Sequence, residues 1–112
     1  MNDDYALPGP DVFAKYLRAL PHRATCGKRQ AFCNCPISEW LRTVFPYAVA
    51  IEVDIDLVTV YFIEHKDECE TPSWMFAFIR ELDTEEGATY GEEVTSQEAL
   101  RVLNKVMSGG TL

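Results

Sequence analysis

Apolar residues recur at helical spacing in four stretches of the chain. Val12, Phe13, Tyr16, Leu17 and Leu20 follow Pro10, which suits a first helical turn, and Pro21 stops the run. Ile37, Trp40, Leu41, Val44 and Phe45 form a second stripe between Pro36 and Pro46, with Asn34 or Cys35 as the candidate cap. Met75, Phe78, Ile79 and Leu82 give a third, led by Thr71-Pro72 as cap and first-turn proline. Ala99, Leu100, Leu103, Val106 and Met107 give the fourth. Thr95 and Glu98 spell a capping box at its start, and Gly109-Gly110 close it.

Between the second and third stripes the period changes to two. Val49, Ile51, Val53 and Ile55 alternate with Ala50, Glu52, Asp54 and Asp56, the mark of a strand with one wet face. After Asp56 the phase shifts to Val58, Val60 and Phe62, which predicts a hairpin turn near 54–57. Residues 21–35 read as a polar, basic loop and 83–94 as an acidic loop, with a short strand around 89–93 left open. The pattern predicts an α+β fold: a single compact domain over 1–112, with about four helices on a small antiparallel sheet of two or three strands. Residues 1–9 are expected to be irregular and 108–112 frayed.

Composition narrows the function classes. At 112 residues, 47% hydrophobic and 12% aromatic, the chain can bury one core and is no disordered acidic tail. No apolar run reaches the length of about 20 residues that a membrane span needs. MNDDYALPGP resembles neither a signal nor a transit peptide, so the expected location is the cytoplasm, with the four cysteines as reduced thiols or metal ligands. A formal charge of −8 disfavours nucleic acid and anionic membranes and favours a basic protein partner.

That charge is unevenly placed. Residues 12–38 hold Lys15, Arg18, Arg23, Lys28 and Arg29 and no acid, whereas 81–100 hold Glu81, Asp83, Glu85, Glu86, Glu92, Glu93 and Glu98 and no base. Two readings compete. The two tracts attract each other or merely solvate the fold, or the acidic one is a docking rim with Tyr90 or Phe76 as aromatic anchor. Trp40 and Trp74 belong to helical stripes and read as core; Tyr47 lies outside the helices.

Three constellations carry candidate chemistry. His22, Cys26, Cys33 and Cys35 lie in one loop with soft ligands suited to tetrahedral zinc, although C-x-C is tight spacing for two ligands on one metal. Against that, Cys33 and Cys35 would simply pack beneath the second helix, or Cys26, beside Arg23, Lys28 and Arg29, would be a reactive thiol. His65 and Cys69, in a short acidic loop, form a thiolate–imidazole pair only in principle. Glu52, Asp54 and Asp56, followed by Glu64-His65-Lys66, sketch the acids and lysine of a PD-(D/E)xK nuclease core that would hold Mg²⁺. That sketch lacks a Pro-Asp pair and sits in a chain half that would repel phosphate. The catalytic signatures G-x-S-x-G, P-loop, G-x-G-x-x-G and H-E-x-x-H are absent from the sequence.

Taken in order, FAKYLRALP, CPISEWLR, TPSWMFAFIRELD and VTSQEALRVL resemble a loose class of small bacterial proteins. In these a Leu-Pro-ended helix precedes a Cys-Pro-led helix with a W-L or Y-L pair, then a Pro-x-Trp helix and a closing V-T-x-x-E-A-L helix. The resemblance implies a shared fold and no activity; Cys26, Cys33 and the acidic tract depart from it. The function expected is a non-enzymatic, acidic, cytosolic protein-binding module of the adaptor or inhibitor type, including a phage- or defence-related inhibitor. It would dock through Glu81, Asp83, Glu85, Glu86, Tyr90, Glu92 and Glu93 of its C-terminal half, and self-association is left open. A zinc- or thiol-centred module on His22, Cys26, Cys33 and Cys35 is the alternative, and the Mg²⁺-dependent nuclease a remote one. No cofactor is expected outside that structural zinc.

Overall fold

Prolines and caps set the helix boundaries in a computed structural model that describes residues 7–31, 33–85 and 87–108. Helix α1, Pro10–Ala19, has its proline in the first turn and buries Phe13, Ala14 and Leu17. Helix α2, Pro36–Val44, takes Cys35 as its cap: the thiol sulfur accepts the Ser38 amide at 3.4 Å, while Ile37, Trp40 and Leu41 face the core. Helix α3, Ser73–Thr84, buries Trp74, Met75, Phe78, Ile79 and Leu82. Thr71 does not cap it. Pro72 occupies the cap position, and the Thr71 hydroxyl donates instead to the Asp54 carbonyl at 2.7 Å, fastening α3 to the preceding hairpin. Helix α4, Ser96–Ser108, has the expected box: Glu98 N–H donates to Thr95 Oγ1 at 3.1 Å, and Thr95 N–H donates to Glu98 Oε1 at 3.0 Å.

The helices meet around an aromatic knot. The Phe13 ring lies 4.9 Å from Trp40, 5.7 Å from Trp74 and 5.3 Å from Phe78 (centroid to centroid), the last edge-on. Such pairs add about 0.5–1.5 kcal/mol each beyond burial, so this knot is a principal anchor of the fold. Both tryptophans are core residues, as their stripe positions require.

Among the described residues, five short strands complete the fold in two antiparallel sheets. Strands β2 (Ala50–Val53), β3 (Leu57–Tyr61) and β4 (Lys66–Glu70) run in spatial order β2-β3-β4. The phase shift after Asp56 is the β2–β3 turn: Ile51 and Val53 oppose Val60 and Val58, and all four are buried. Strands β1 (Thr25–Lys28) and β5 (Glu93–Thr95) form a separate ribbon pairing Lys28 with Glu93 and Gly27 with Val94.

Three sequence expectations are corrected here. The basic loop over 21–35 contains β1. Most of the acidic loop expected around His65 and Cys69 is β4, which begins just after His65, contains Cys69 and pairs with β3. The strand left open over 89–93 begins at Glu93 and ends at Thr95. Gly27 makes the first of these workable: a Cβ there would stand 2.7 Å from the Cys35 carbonyl carbon and 2.8 Å from Pro36 Cα, so β1 and the start of α2 approach each other only through glycine. Leu7–Gly9 are irregular, with Leu7 packed on the core; the expected behaviour of 1–6 and 109–112 lies outside the described residues.

Candidate functional site

The acidic tract is met from within the molecule by Arg29. Left-handed backbone at Gln30 (φ 55) turns the chain after β1, and the Arg29 side chain runs inward with 5% of its surface exposed. Its Nη1 lies 3.1 Å from Glu85 Oε1, its Nε 2.9 Å from Glu92 Oε1 and its Nη2 3.8 Å from Glu98 Oε2. The Nε contact is an ion pair without hydrogen-bond geometry. Nη1 also donates to the Leu82 carbonyl. Helix α3 has no basic residue in its last turn, so a cation from a distant loop covers its carbonyl end. The main chain follows suit: Arg29 N–H donates to the Glu92 carbonyl at 2.8 Å, and Gly91 N–H donates to the Arg29 carbonyl at 3.0 Å.

The other acids of the tract are engaged as well. Asp83 Oδ1 accepts the Gln30 amide at 2.9 Å. Burial raises the Asp83 carboxyl pKa, against the lowering effects of that amide and of Arg29. Glu85 is also bound by both terminal nitrogens of Arg101, at 2.9 and 3.2 Å, and chiefly for that reason its pKa is lowered. Glu81 pairs with Lys105. Together Arg29, Glu81, Glu85, Glu92, Glu98, Arg101 and Lys105 line an open polar cleft of about 590 Å³. Of the residues expected to form a docking rim, Glu81, Asp83, Glu85 and Glu92 are thus bound internally. Tyr90 stands 77% exposed, and Glu93 is exposed beside the Thr25 hydroxyl. Phe76, the other candidate anchor, is half-buried. Glu86 lies outside the described residues. The basic tract thus meets the acidic one through Arg29, and Arg101 and Lys105 of α4 pair with further acids.

The three-stranded sheet collects what remains of the charge. Between residues 50 and 71 the chain carries Glu52, Asp54, Asp56, Glu64, Asp67, Glu68 and Glu70 against Lys66 alone, six of the eight excess negative charges. On the face opposite Ile51, Val53, Val58 and Val60, cross-strand rows join Glu52, the buried Thr59 and Glu68, then Tyr61 and Lys66, then Leu57 and Glu70. The Tyr61 hydroxyl donates to Glu52 at 2.8 Å, and the phenol pKa is raised chiefly by that bond. At one end of this sheet Tyr47 and Ile63, each 86% exposed, stand near a Phe62 ring stacked on His65 at 4.7 Å. Sequence reasoning missed this surface because β4 reads as a charged loop.

The cysteines lie apart from any assembled site. Cys26 and Cys35 are buried, Cys33 is half-buried, and His22 is exposed. Among the described residues, no three His, Cys, Asp or Glu side chains converge as a metal would require. The expected activation of Cys26 is reversed. Burial, with Glu98, Cys35 and Glu39 nearby, pushes its thiol up to about 12, and burial likewise raises Cys35. Cys26 instead lines a cleft of about 390 Å³ with Tyr16, Leu20, Lys28, Asn34 and Glu39. His65 and Cys69 belong to the β4 hairpin; His65 faces Asp67 at 3.8 Å, and burial raises the Cys69 thiol pKa.

Nor do the nuclease residues assemble. Asp56 sits at the β2–β3 turn, where its carbonyl accepts the Thr71 amide beyond the end of β4, whereas Lys66 is at the start of β4 opposite Tyr61. The length of the strand, about 15 Å at 3.3 Å per residue, separates acid from lysine. Asp54 is turned to the Ile55 amide at 2.7 Å.

No protein-family model, curated protein or solved structure matches the chain. Four helices and two small antiparallel sheets make it an α+β globule. Among the described residues, no helix is long and apolar enough to cross a membrane.

Proposed function

We propose that the chain is a small, non-enzymatic, acidic binding module of the adaptor or inhibitor type that docks on a basic surface of a protein partner. The observation that carries this reading is the division of charge. The 81–98 acids are largely occupied by Arg29, Arg101 and Lys105, while the β2–β4 segment holds seven carboxylates against one lysine. A concentrated field of one sign steers a partner of the other and sets its orientation. The docking surface is therefore moved from the C-terminal tract to the outward face of the three-stranded sheet, with Tyr47 and Ile63 as apolar contacts at its end.

The test compares wild-type protein with the triple variant E52K/E68K/E70K in affinity capture from a lysate, followed by mass spectrometry. A stoichiometric partner rich in Lys and Arg, held by the wild type, lost by the variant and released near 1 M salt, is the expected result. Retention of the same partner by both proteins, or a salt-insensitive complex, overturns the reading.

A further inference from the structure

The free edge of β4 offers a second level of recognition. Phe62 N–H donates to the His65 carbonyl at 2.8 Å, and Thr71 N–H donates to the Asp56 carbonyl at 3.0 Å. With the unbroken register from Tyr61–Lys66 to Leu57–Glu70, these two bonds fix the alternation along β4. Asp67 and Cys69 turn their N–H and C=O groups toward β3. Lys66, Glu68 and Glu70 turn theirs away, and among the described residues nothing bonds to those outward groups.

Edge strands are usually protected by a bulge, a proline, a covering element or charge. Here the register is regular, the first proline comes only at Pro72, and β3 is the neighbouring strand on the other side. The opposite edge of the sheet differs: Ile51 and Val53 of β2 are buried, and the loop bearing Ala31 and Cys35 lies against Val53. Among the described residues, charge is thus the guard that remains on β4, and it is selective. Lys66 and Glu68 share an exposed pair at 3.5 Å, worth little in water, and Glu70 is exposed. A second copy of β4 laid antiparallel about Glu68 would place that carboxylate against itself, though it would set Lys66 against Glu70 at either side. An incoming strand with cations opposite Glu68 and Glu70, and an uncharged residue opposite Lys66, would meet no like charge.

We infer that β4 accepts an extended basic segment of the partner as a fourth strand. The main-chain groups of Lys66, Glu68 and Glu70 would bond its backbone, and Lys or Arg at alternate positions would face Glu68 and Glu70. Between those cations an apolar residue suits the inner face, where Cys69 is packed against the core. The inference rests on the acidic docking reading and adds its geometry: the partner is read as a strand, not merely as a charge.

The probe is the capped peptide Lys-Val-Lys-Val-Thr, whose antiparallel pairing sets its lysines against Glu70 and Glu68 and its threonine against Lys66, compared with the same peptide N-methylated at the residues whose amides face β4. Amide hydrogen exchange by NMR reads the result. In free protein the Lys66, Glu68 and Glu70 amides should exchange fast and those of Asp67 and Cys69 slowly. The unmodified peptide should slow the first three, the N-methylated one should not, and E68K/E70K should weaken binding about tenfold, the scale of two cross-strand charge pairs reversed. E68Q/E70Q, which adds no repulsion, should fall between. Equal binding of both peptides overturns strand addition and leaves acidic docking standing. Absence of protection at millimolar unmodified peptide also overturns it, with the lysate comparison then judging the docking reading alone. Protection that appears without peptide and grows with protein concentration assigns the edge to a second copy and overturns the inference.

Discussion

Arg29 and Glu85 form an ion pair at 3.1 Å with both side chains largely withdrawn from solvent. The pair joins the turn after β1 to the end of α3. It explains why the acidic tract folds against the molecule: the guanidinium fork serves Glu85, the Leu82 carbonyl and Glu92 together.

Removing that fork should cost more than removing a surface charge. Arg29→Ala leaves Glu85 half-served and the Leu82 carbonyl without its donor. We expect a loss of about 3 kcal/mol, the scale for breaking a buried pair by deleting one partner. Arg29→Lys should recover only part of it, since an ammonium cannot bridge those acceptors. Urea denaturation measures both; a loss within 0.5 kcal/mol, the usual scale of surface substitutions, contradicts the role given to Arg29.

Acid should release the same clamp. The Glu85 pKa is lowered in the fold, so its contribution is fully present above the unfolded value and disappears as pH falls through the folded one. Asp83 works in the opposite sense: its raised pKa favours the fold as the pH drops. Wild-type protein should therefore lose a Glu85-dependent part of its stability below the ordinary glutamate range. Glu85→Gln should flatten that limb, and Asp83→Asn should steepen it. Thermal midpoints between pH 6 and 3 decide the matter, and superimposable profiles for Glu85→Gln and wild type would count against the Arg101–Glu85–Arg29 arrangement.

Thiol chemistry should follow burial and not the basic sequence around Cys26. With its thiol pushed up to about 12, Cys26 should resist iodoacetamide in folded protein at pH 8, as should Cys35. Half-buried Cys33 should be labelled first. Peptide mapping by mass spectrometry gives the order, and early labelling of Cys26 is the adverse result.

Gly27→Ala probes the close approach of β1 to the start of α2. The added methyl would sit within 3 Å of the Cys35 and Pro36 main chain, which has no flexible side chain to yield. A loss of about 2–3 kcal/mol is expected, comparable to overpacking a core. Its melting curve should shift accordingly, with α2 and β1 losing hydrogen-exchange protection first.

The four helices were legible because their signals are local: prolines at their starts and stops, the Thr95–Glu98 box, and stripes within one helix. The β2–β3 hairpin was legible for the same reason, since its phase shift falls within a dozen residues. Strand β1 was not. Thr25-Cys26-Gly27-Lys28 has no alternation, and its partner is three residues near the far end of the chain. Strand β4 was hidden by its composition, because Lys-Asp-Glu-Cys-Glu reads as solvated loop until β3 is placed beside it. Which acids of the docking tract are paired within the fold could not be read: a run of acids announces its charge, but the arginine that meets three of them lies more than fifty positions upstream. The sequence did pose mutual attraction as an alternative; only geometry could choose it.

The β1–β5 ribbon has a consequence for how the molecule is made. Its strands, with α1 against α4, join the first quarter of the chain to the last. Closing so long a loop is costly in chain entropy, and no local contact repays it beforehand. During synthesis Phe13 can meet Trp40, Trp74 and Phe78, and Arg29 can meet Glu85, before α4 exists, but β1 and the side of α1 that packs on α4 must wait for residues 93–106. This fold therefore closes only after α4 has been made, and the α4-facing side of α1 is the surface that a chaperone would meet during that interval.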